Sequence, residues 1–192
     1  MGVADEFVPG TTTTLLLLGL VALIGYSAVA EPVADEPLDT EEVESIVVNE
    51  TNEVRTERGL SRLDTDAALR SSARSHSANM ARNGYVGHKT PDGEIPFERY
   101  DNCSADGFAG ENVASAWYDK NFVYEEAEVP TVHLSDERDV AEHLVRAWMD
   151  SEGHRKTLLS EDWERVGVGV SVTDSDEVFA TQAFCSGPLG EE

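Results

Sequence analysis

The chain has 192 residues, of which 14 are Lys or Arg and 38 are Asp or Glu, so its formal net charge is −24 at pH 7. This length fits one domain of ordinary size, and a 40% share of hydrophobic residues is enough to form a core. Nucleic acid is excluded as an expected partner, because phosphates are bound mainly by Lys and Arg and the chain has no basic cluster.

The acidic residues are spread along the whole chain, and the basic residues comprise 11 Arg and only 3 Lys. An acidic, Lys-poor surface of this kind is typical of proteins adapted to very high salt, where dissolved cations screen the repulsion between like charges. An ordinary acidic secreted protein is the alternative. The even distribution favours the high-salt interpretation, since no single acidic tail accounts for the charge.

An apolar run occupies residues 15–30 and follows four threonines. As a helix, residues 11–30 would extend about 30 Å, which matches the hydrocarbon core of a membrane. The run ends in Ala28-Val29-Ala30, a pattern that signal peptidase could cut, although the leading segment lacks Lys and Arg. A buried core helix is a third alternative. We expect residues 1–30 to be a membrane anchor or a signal segment, with the remainder outside the cell.

Residues 31–39 form an acidic stretch with two prolines and no periodicity, which indicates a linker. A first helix is predicted over Thr40–Arg58, where Asp39 is the N-cap and Glu42 completes a capping box. Gly59 supplies a left-handed stop. The folded domain is therefore expected to span residues 40–192.

Two further helices follow from hydrophobic periodicity. The second begins near Asp64 or Thr65 and ends at Gly84, and the third runs from Ser135 to Asp150, followed by a helical turn at residues 154–159. The residues predicted to face inward are Leu69, Ala73, His76 and Met80 on the second helix, and Val140, Leu144, Ala147 and Trp148 on the third.

The C-terminal part changes to a period of two. Residues 166–172 alternate, residues 174–177 form a turn, and residues 178–184 return, which predicts a β-hairpin. Residues 111–134 contain further β-type runs that indicate another pair of strands. Helices first, a sheet in the middle and a hairpin at the end predict an α+β fold, with helices covering an antiparallel sheet.

Four fragments occur in order: SHSANMARNGYVGHKTPDG (75–93), GENVA (110–114), AWMDSEGHRKTLL (147–159) and GVGVSV (167–172). Together they resemble the CAP superfamily of cysteine-rich secretory, antigen 5 and pathogenesis-related proteins, and especially its compact bacterial and archaeal branch. The resemblance covers roughly residues 43–185 and implies a three-layer α-β-α sandwich. Because the second and third fragments lie farther apart than in compact members, residues 118–137 are interpreted as an insert near the cleft.

In that family a cleft holds two histidines and one or two glutamates. The resemblance places His88, Glu111 and His154 in this cleft. The second family glutamate corresponds to Ser151, with Glu152 just beyond it, so these two are only possible accessory residues. No catalytic residue is assigned, and His76 and Trp148 are expected to belong to the core.

Two imidazoles and one carboxylate form the ligand set of many catalytic zinc sites, so a divalent metal, Zn or Mg, is one expectation for the cleft. No HExxH motif is present, and convergence of the three residues follows from the resemblance alone. Alternatively, the three side chains bond only to one another and to neighbouring backbone. The favoured function is binding of an extracellular small ligand, peptide or lipid. A metal-dependent extracellular hydrolase and a surface adhesion module are the alternatives.

Cys103 and Cys185 are the only cysteines. In a protein outside the cell they are expected to form one disulfide, which would tie the segment before GENVA to the last strand. Two free buried thiols are the alternative.

The charge distribution makes salt dependence testable. After Ala30 the chain retains 36 acidic and 14 basic residues, so repulsion between carboxylates should destabilise the domain when salt is removed. We expect the melting temperature to fall steeply as KCl is lowered from about 2 M to about 0.1 M. A melting temperature that does not change with salt would contradict the high-salt interpretation.

Overall fold

The computed structural model describes residues 37–100, 103, 109–118 and 134–187. Within these residues the elements, in chain order, are α1 (Thr40–Thr56), β1 (Asp64–Thr65), α2 (Ala67–Asn83), α3 (Pro96–Arg99), β2 (Ala109–Trp117), α4 (Glu137–Asp150), α5 (Glu152–Leu158), β3 (Arg165–Val172) and β4 (Glu177–Cys185). The prediction of an α+β fold is confirmed. The apolar residues 15–30, predicted as a membrane-anchor or signal helix, lie outside the described residues.

The four strands form one sheet in the order β1-β3-β4-β2. Strands β3 and β4 pair antiparallel, as the hairpin prediction requires, and the turn between them includes Asp176 at a φ of 65°. Strand β2 pairs antiparallel with β4, and β1 pairs parallel with β3. Only one strand, β2, is seen where a pair was predicted, since residues 119–133 are outside the described part. Among the described strands, β2 therefore lies at one edge of the sheet.

The side chains of the sheet alternate between two faces. On one face Val166, Val168 and Val170 pack with apolar residues of α1 and α4, including the fully buried Trp148. On the other face Leu69 and other residues of α2 contact β4 and β2. The layers thus run from helix α2, through the sheet, to helices α1 and α4.

Helix α2 approaches the sheet unusually closely at two glycines of β3. A Cβ atom added to Gly167 would lie 2.2 Å from the backbone nitrogen of Arg70, and one added to Gly169 would lie 2.0 Å from that of Arg74. The glycines of the GVGV segment thus allow direct contact between the helix backbone and the strand, as close sheet packing requires. This contact fixes the height of α2 above the sheet.

Helix α1 begins as predicted at Asp39, whose carboxylate accepts from the backbone N–H groups of Glu41 and Glu42. The predicted capping box with Glu42 is wrong, because the backbone N–H of Asp39 donates instead to the Glu137 carboxylate at 2.9 Å. Glu137 is the first residue of α4, so this hydrogen bond joins the starts of two neighbouring helices. The left-handed conformation of Gly59 is confirmed, with a φ of 80°.

The predicted inward stripe of α2 is confirmed at all four positions, and its Gly84 stop has a φ of 65°. In α4 the prediction is wrong at Ala147, which is exposed. The buried stripe of this helix contains Val140, Ala141, Leu144, Val145 and Trp148. Ala141 and Val145 shift the centre of the apolar stripe, which leaves Ala147 at its solvent edge.

Cys103 and Cys185 form a disulfide with their Cα atoms 5.5 Å apart, as predicted. Both residues pack with Leu69, Ala73 and Tyr100 between α2 and the sheet. The disulfide thereby attaches the chain just after Tyr100 to the end of β4. Among the described residues, no helix has the length and apolar character needed to cross a membrane.

The close approach of α2 gives a direct stability test. Gly169→Ala should lower the free energy of unfolding by about 3 kcal/mol or more, because the new methyl group would displace the backbone of α2. Gly153→Ala is the matched control, since a Cβ there meets nothing within 4 Å and should change stability by no more than about 1 kcal/mol. Denaturant unfolding of both variants measures the difference, and equal stabilities would contradict the packing described.

Candidate functional site

Glu111 is held by the register of the edge strand. It lies opposite Ala183 of β4, and its side chain shares a face of the sheet with that of Val113, which packs on Met80 of α2. The side chain is only 2% exposed. A carboxylate so deeply buried requires hydrogen-bond donors to offset the loss of water.

Three side chains supply donors to this carboxylate. The Tyr100 hydroxyl donates to Oε2 of Glu111, and Nη2 of Arg99 donates to the same oxygen at 3.4 Å. Nδ1 of His88 donates to Oε1 at 2.9 Å. Nε2 of His76 lies 3.9 Å from Oε1, beyond hydrogen-bond distance. Glu111 is therefore the centre of a buried cluster rather than a free carboxylate.

Arg99 also holds the loop that carries His88. Its Nη2 donates to the backbone oxygen of His88 at 2.6 Å, and its Nη1 donates to the Glu94 carboxylate at 2.6 Å. Pro96 occupies the first turn of the short helix α3, where its missing N–H is no loss, and this helix places Arg99 beneath the loop. One buried guanidinium thus connects the loop to Glu111.

The His88 ring is half exposed, with 49% of its side chain accessible, although Glu111 beneath it is buried. Because Nδ1 donates to the carboxylate, the proton of a neutral ring is on Nδ1 and Nε2 carries a lone pair. The ring is therefore fixed in orientation and presents an acceptor nitrogen. A carboxylate that sets the tautomer of a histidine in this way is common both in catalytic pairs and behind metal ligands.

His154 approaches from α5, and its ring lies beside that of His88 with centroids 6.3 Å apart and planes at 62°. A buried amide holds this part of α5, because Nδ2 of Asn112 donates to the backbone oxygen of His154 at 3.2 Å and to Oε1 of Gln182 at 3.1 Å. Gln182 in turn donates to Thr51 of α1 at 2.7 Å. The structure thus brings His88 and His154 together above the edge strand.

The environment lowers the pKa of two histidines, His154 and His76. Burial lowers the pKa of His154, and the neighbouring His88 lowers it further. Burial also lowers the pKa of His76, whose Nε2 donates to the backbone oxygen of Gly87 at 2.9 Å. Burial raises the pKa of the Tyr100 hydroxyl, and the Glu111 carboxylate raises it further, so this hydroxyl remains a donor.

The structure also describes the remaining predicted residues. Ser151 is at the junction of α4 and α5, where its backbone N–H donates to Ala147. Glu152 is exposed and pairs with Lys156 at 2.7 Å on the surface of α5. His76 and Trp148 are both buried, as expected for core residues.

The donor set does not fit the expected metal. Among the described residues, no three His, Cys, Asp or Glu side chains form a group able to hold a metal ion. Both oxygens of Glu111 already accept hydrogen bonds from Tyr100, Arg99 and His88. Zn or Mg bound by His88, Glu111 and His154 together is therefore not supported, and Glu111 acts as the partner of His88.

Sequence reasoning missed Arg99, Tyr100 and Asn112. Arg99 and Tyr100 end the segment PFERY, and the available signal was an arginine beside an aromatic residue just after a helix-starting proline. Asn112 stands within the GENVA fragment directly after Glu111, and strand alternation places its side chain on the opposite face of the sheet.

With this geometry in hand, the comparisons identify the family. Residues 48–184 match the model of the CAP family, described as the cysteine-rich secretory protein family, and the chain belongs to this family. It is 31% identical over 134 residues to the uncharacterized protein YkwD of Bacillus subtilis, covering 69% of this chain and 44% of that protein. The chain spans less than half the length of the two curated relatives it matches.

Two solved structures have similar folds. An outer surface protein from Borrelia burgdorferi is 20% identical with a TM-score of 0.61, covering 81% of this chain and 100% of that chain. An extracellular protein containing a SCP domain from Bacillus anthracis is 27% identical with a TM-score of 0.55, covering 77% of this chain and 41% of that chain. These neighbours support the predicted resemblance to bacterial members of the family.

The donors to Glu111 can be tested by removing one hydroxyl. Tyr100→Phe should lower the free energy of unfolding by roughly 1.5–3 kcal/mol, because a buried carboxylate loses a donor. Tyr85→Phe is the matched control, since its hydroxyl donates to the neutral amide of Asn79 and the loss should be about 1 kcal/mol. Denaturant titrations compare the two. A Tyr100→Phe variant as stable as the wild type would show that Glu111 does not depend on this hydroxyl.

Proposed function

We propose that this chain is an extracellular CAP-domain protein whose cleft binds a ligand at His88 and His154 without chemical turnover. The observation that carries the proposal is the pairing of a half-exposed His88 with the buried Glu111 carboxylate. A ring held in this way is preorganised, so a ligand does not have to order it on binding.

The proposed ligand is a small molecule, peptide or lipid head group that carries hydroxyl or N–H groups. His88 offers Nε2 as an acceptor, and the lowered pKa of His154 keeps that ring neutral, so it also offers an acceptor nitrogen at neutral pH. Donor groups such as peptide N–H or hydroxyl groups therefore complement two neighbouring imidazoles.

Extracellular location is supported by three observations. The disulfide between Cys103 and Cys185 is typical of oxidising compartments. One structural neighbour is described as an extracellular protein and another as an outer surface protein. The apolar residues 15–30 and the Ala28-Val29-Ala30 pattern add an export signal or anchor, which belongs to the same proposal.

A hydrolase is the rival function that one observation favours. A histidine oriented by a carboxylate is the arrangement of a general base, and His88 with Glu111 has this form. Against it, the three donors that engage Glu111 oppose a direct acid–base role for this carboxylate, and the described residues form no group able to hold the metal of a metal-dependent hydrolase. We therefore favour binding over catalysis.

The experiment records the imidazole NMR resonances of the chain while three probes are added separately: short peptides, soluble muropeptides and vesicles that contain phosphatidylethanolamine, whose head group carries N–H donors. We expect at least one probe to shift the His88 and His154 resonances and to remain chemically unchanged. His88→Ala should weaken that binding by about tenfold or more, because an oriented acceptor is lost. His143→Ala, which alters a half-buried histidine of α4, should bind like the wild type.

Two results would overturn the proposal. The first is saturable binding of a probe that leaves both histidine resonances unmoved. The second is steady turnover of a peptide, ester or glycoside substrate that disappears in His88→Ala, which would establish the hydrolase instead.

A further inference from the structure

A pocket lies between helix α2 and the segment before β2, and its lining residues include neither His88 nor His154. Its volume is about 310 Å³, near the lower end of the range for small-molecule pockets. The lining side chains are all polar or charged and come from α2 and from the segment before β2: Ser71, Ser72, Ser75, His76, Asn79, Glu94 and Arg99.

Two buried polar atoms in this lining have no hydrogen-bond partner among the described residues, namely Nδ1 of His76 and Nε of Arg99. The His76 side chain is fully buried and that of Arg99 is 5% exposed. Buried polar atoms are nearly always hydrogen-bonded, and leaving them unpaired costs about 1–3 kcal/mol each. The residues that carry these two atoms line the same pocket, so a polar group that enters it is a candidate for the partner that both atoms lack.

The two atoms have opposite hydrogen-bonding character. Nε2 of His76 donates to the backbone oxygen of Gly87, so Nδ1 of the neutral ring is an acceptor. Nη1 and Nη2 of Arg99 are engaged with Glu94, His88 and Glu111, so Nε, which can only donate, is the nitrogen of this guanidinium without a partner. A single hydroxyl group can donate to the first atom and accept from the second.

The rest of the lining continues this mixed pattern. The oxygen of the Asn79 amide already accepts from Tyr85 and Asn83, which leaves the amide NH2 as a donor toward a ligand. Glu94 supplies carboxylate oxygens as acceptors, and the serines supply hydroxyl groups. An anion is disfavoured, because Glu94 lines the pocket, Glu111 lies 3.9 Å from His76, and the chain carries a net charge of −24.

We propose that this pocket binds a neutral polyhydroxylated ligand, a single sugar unit or a similar polyol, with one hydroxyl bridging His76 and Arg99. The lining contains neither His88 nor His154, so this proposal does not rest on the proposed function. Because Arg99 also donates to Glu111 and to the backbone oxygen of His88, the two sites share one guanidinium.

The test uses the full chain and four probes: methyl α-D-glucopyranoside, N-acetylglucosamine, myo-inositol and inorganic phosphate. We expect saturable binding of at least one of the three neutral probes and none of phosphate. Binding should also shift the ¹⁵N resonance of His76 Nδ1, because this lone pair gains a hydrogen-bond donor. His88→Ala should keep the binding, which separates this site from the cleft.

A variant that fills the pocket gives the second measurement. Ser75→Leu places an apolar side chain in the lining at an exposed helix position and should weaken polyol binding by about tenfold or more without unfolding the chain. Ser45→Leu makes the same change at an exposed position of α1 and should have no effect on binding. The proposal is overturned if none of the neutral probes binds, if phosphate binds equally well, or if Ser75→Leu binds like the wild type.

Discussion

The buried carboxylate of Glu111 is the constraint around which the candidate site is arranged. Removing a carboxylate from water is costly, so the structure must surround it with donors. Tyr100, Arg99 and His88 meet this need, and all three come from the segment that follows α2. The cost of burying one charge therefore determines the path of an irregular segment that has little regular secondary structure of its own.

Neighbouring residues of the edge strand hold the two sides of the cleft. Glu111 projects toward α2 and fixes His88, whereas Asn112 projects to the opposite face and fixes the backbone at His154. Because β2 is the last of the described strands on its side of the sheet, the loop that carries His88 and the short helix α5 can meet beside it. The consecutive residues Glu and Asn in the GENVA fragment thus have a physical explanation, since each holds one histidine.

Elements with strong periodicity could be predicted from the sequence. The stripe of α2 and the hairpin of β3 and β4 follow from periods of 3.6 and 2, and the glycines of GVGV indicated close packing. The capping prediction failed where two carboxylates compete for the same backbone N–H group. The N–H of Asp39 bonds to Glu137 rather than Glu42, a contact between distant helices that no local motif encodes.

The site was predictable only in part, for a related reason. His88, Glu111 and His154 could be found because they stand in fragments that resemble a family, but their spacing in the chain does not make them converge. Arg99 and Tyr100 lie in a segment without periodicity, and their role depends on a carboxylate that arrives from β2. The conclusion that Glu111 is the partner of His88 rather than a metal ligand likewise depends on hydrogen-bond donors that meet only in the folded chain.

The most direct measurement of this account is the tautomer of His88, read from the ¹⁵N resonances of its two ring nitrogens at pH 8. If the Glu111 carboxylate orients the ring, the proton will be on Nδ1 and Nε2 will be unprotonated. A proton found mainly on Nε2 would show that Glu111 does not hold His88, and the description of the cleft would then be wrong.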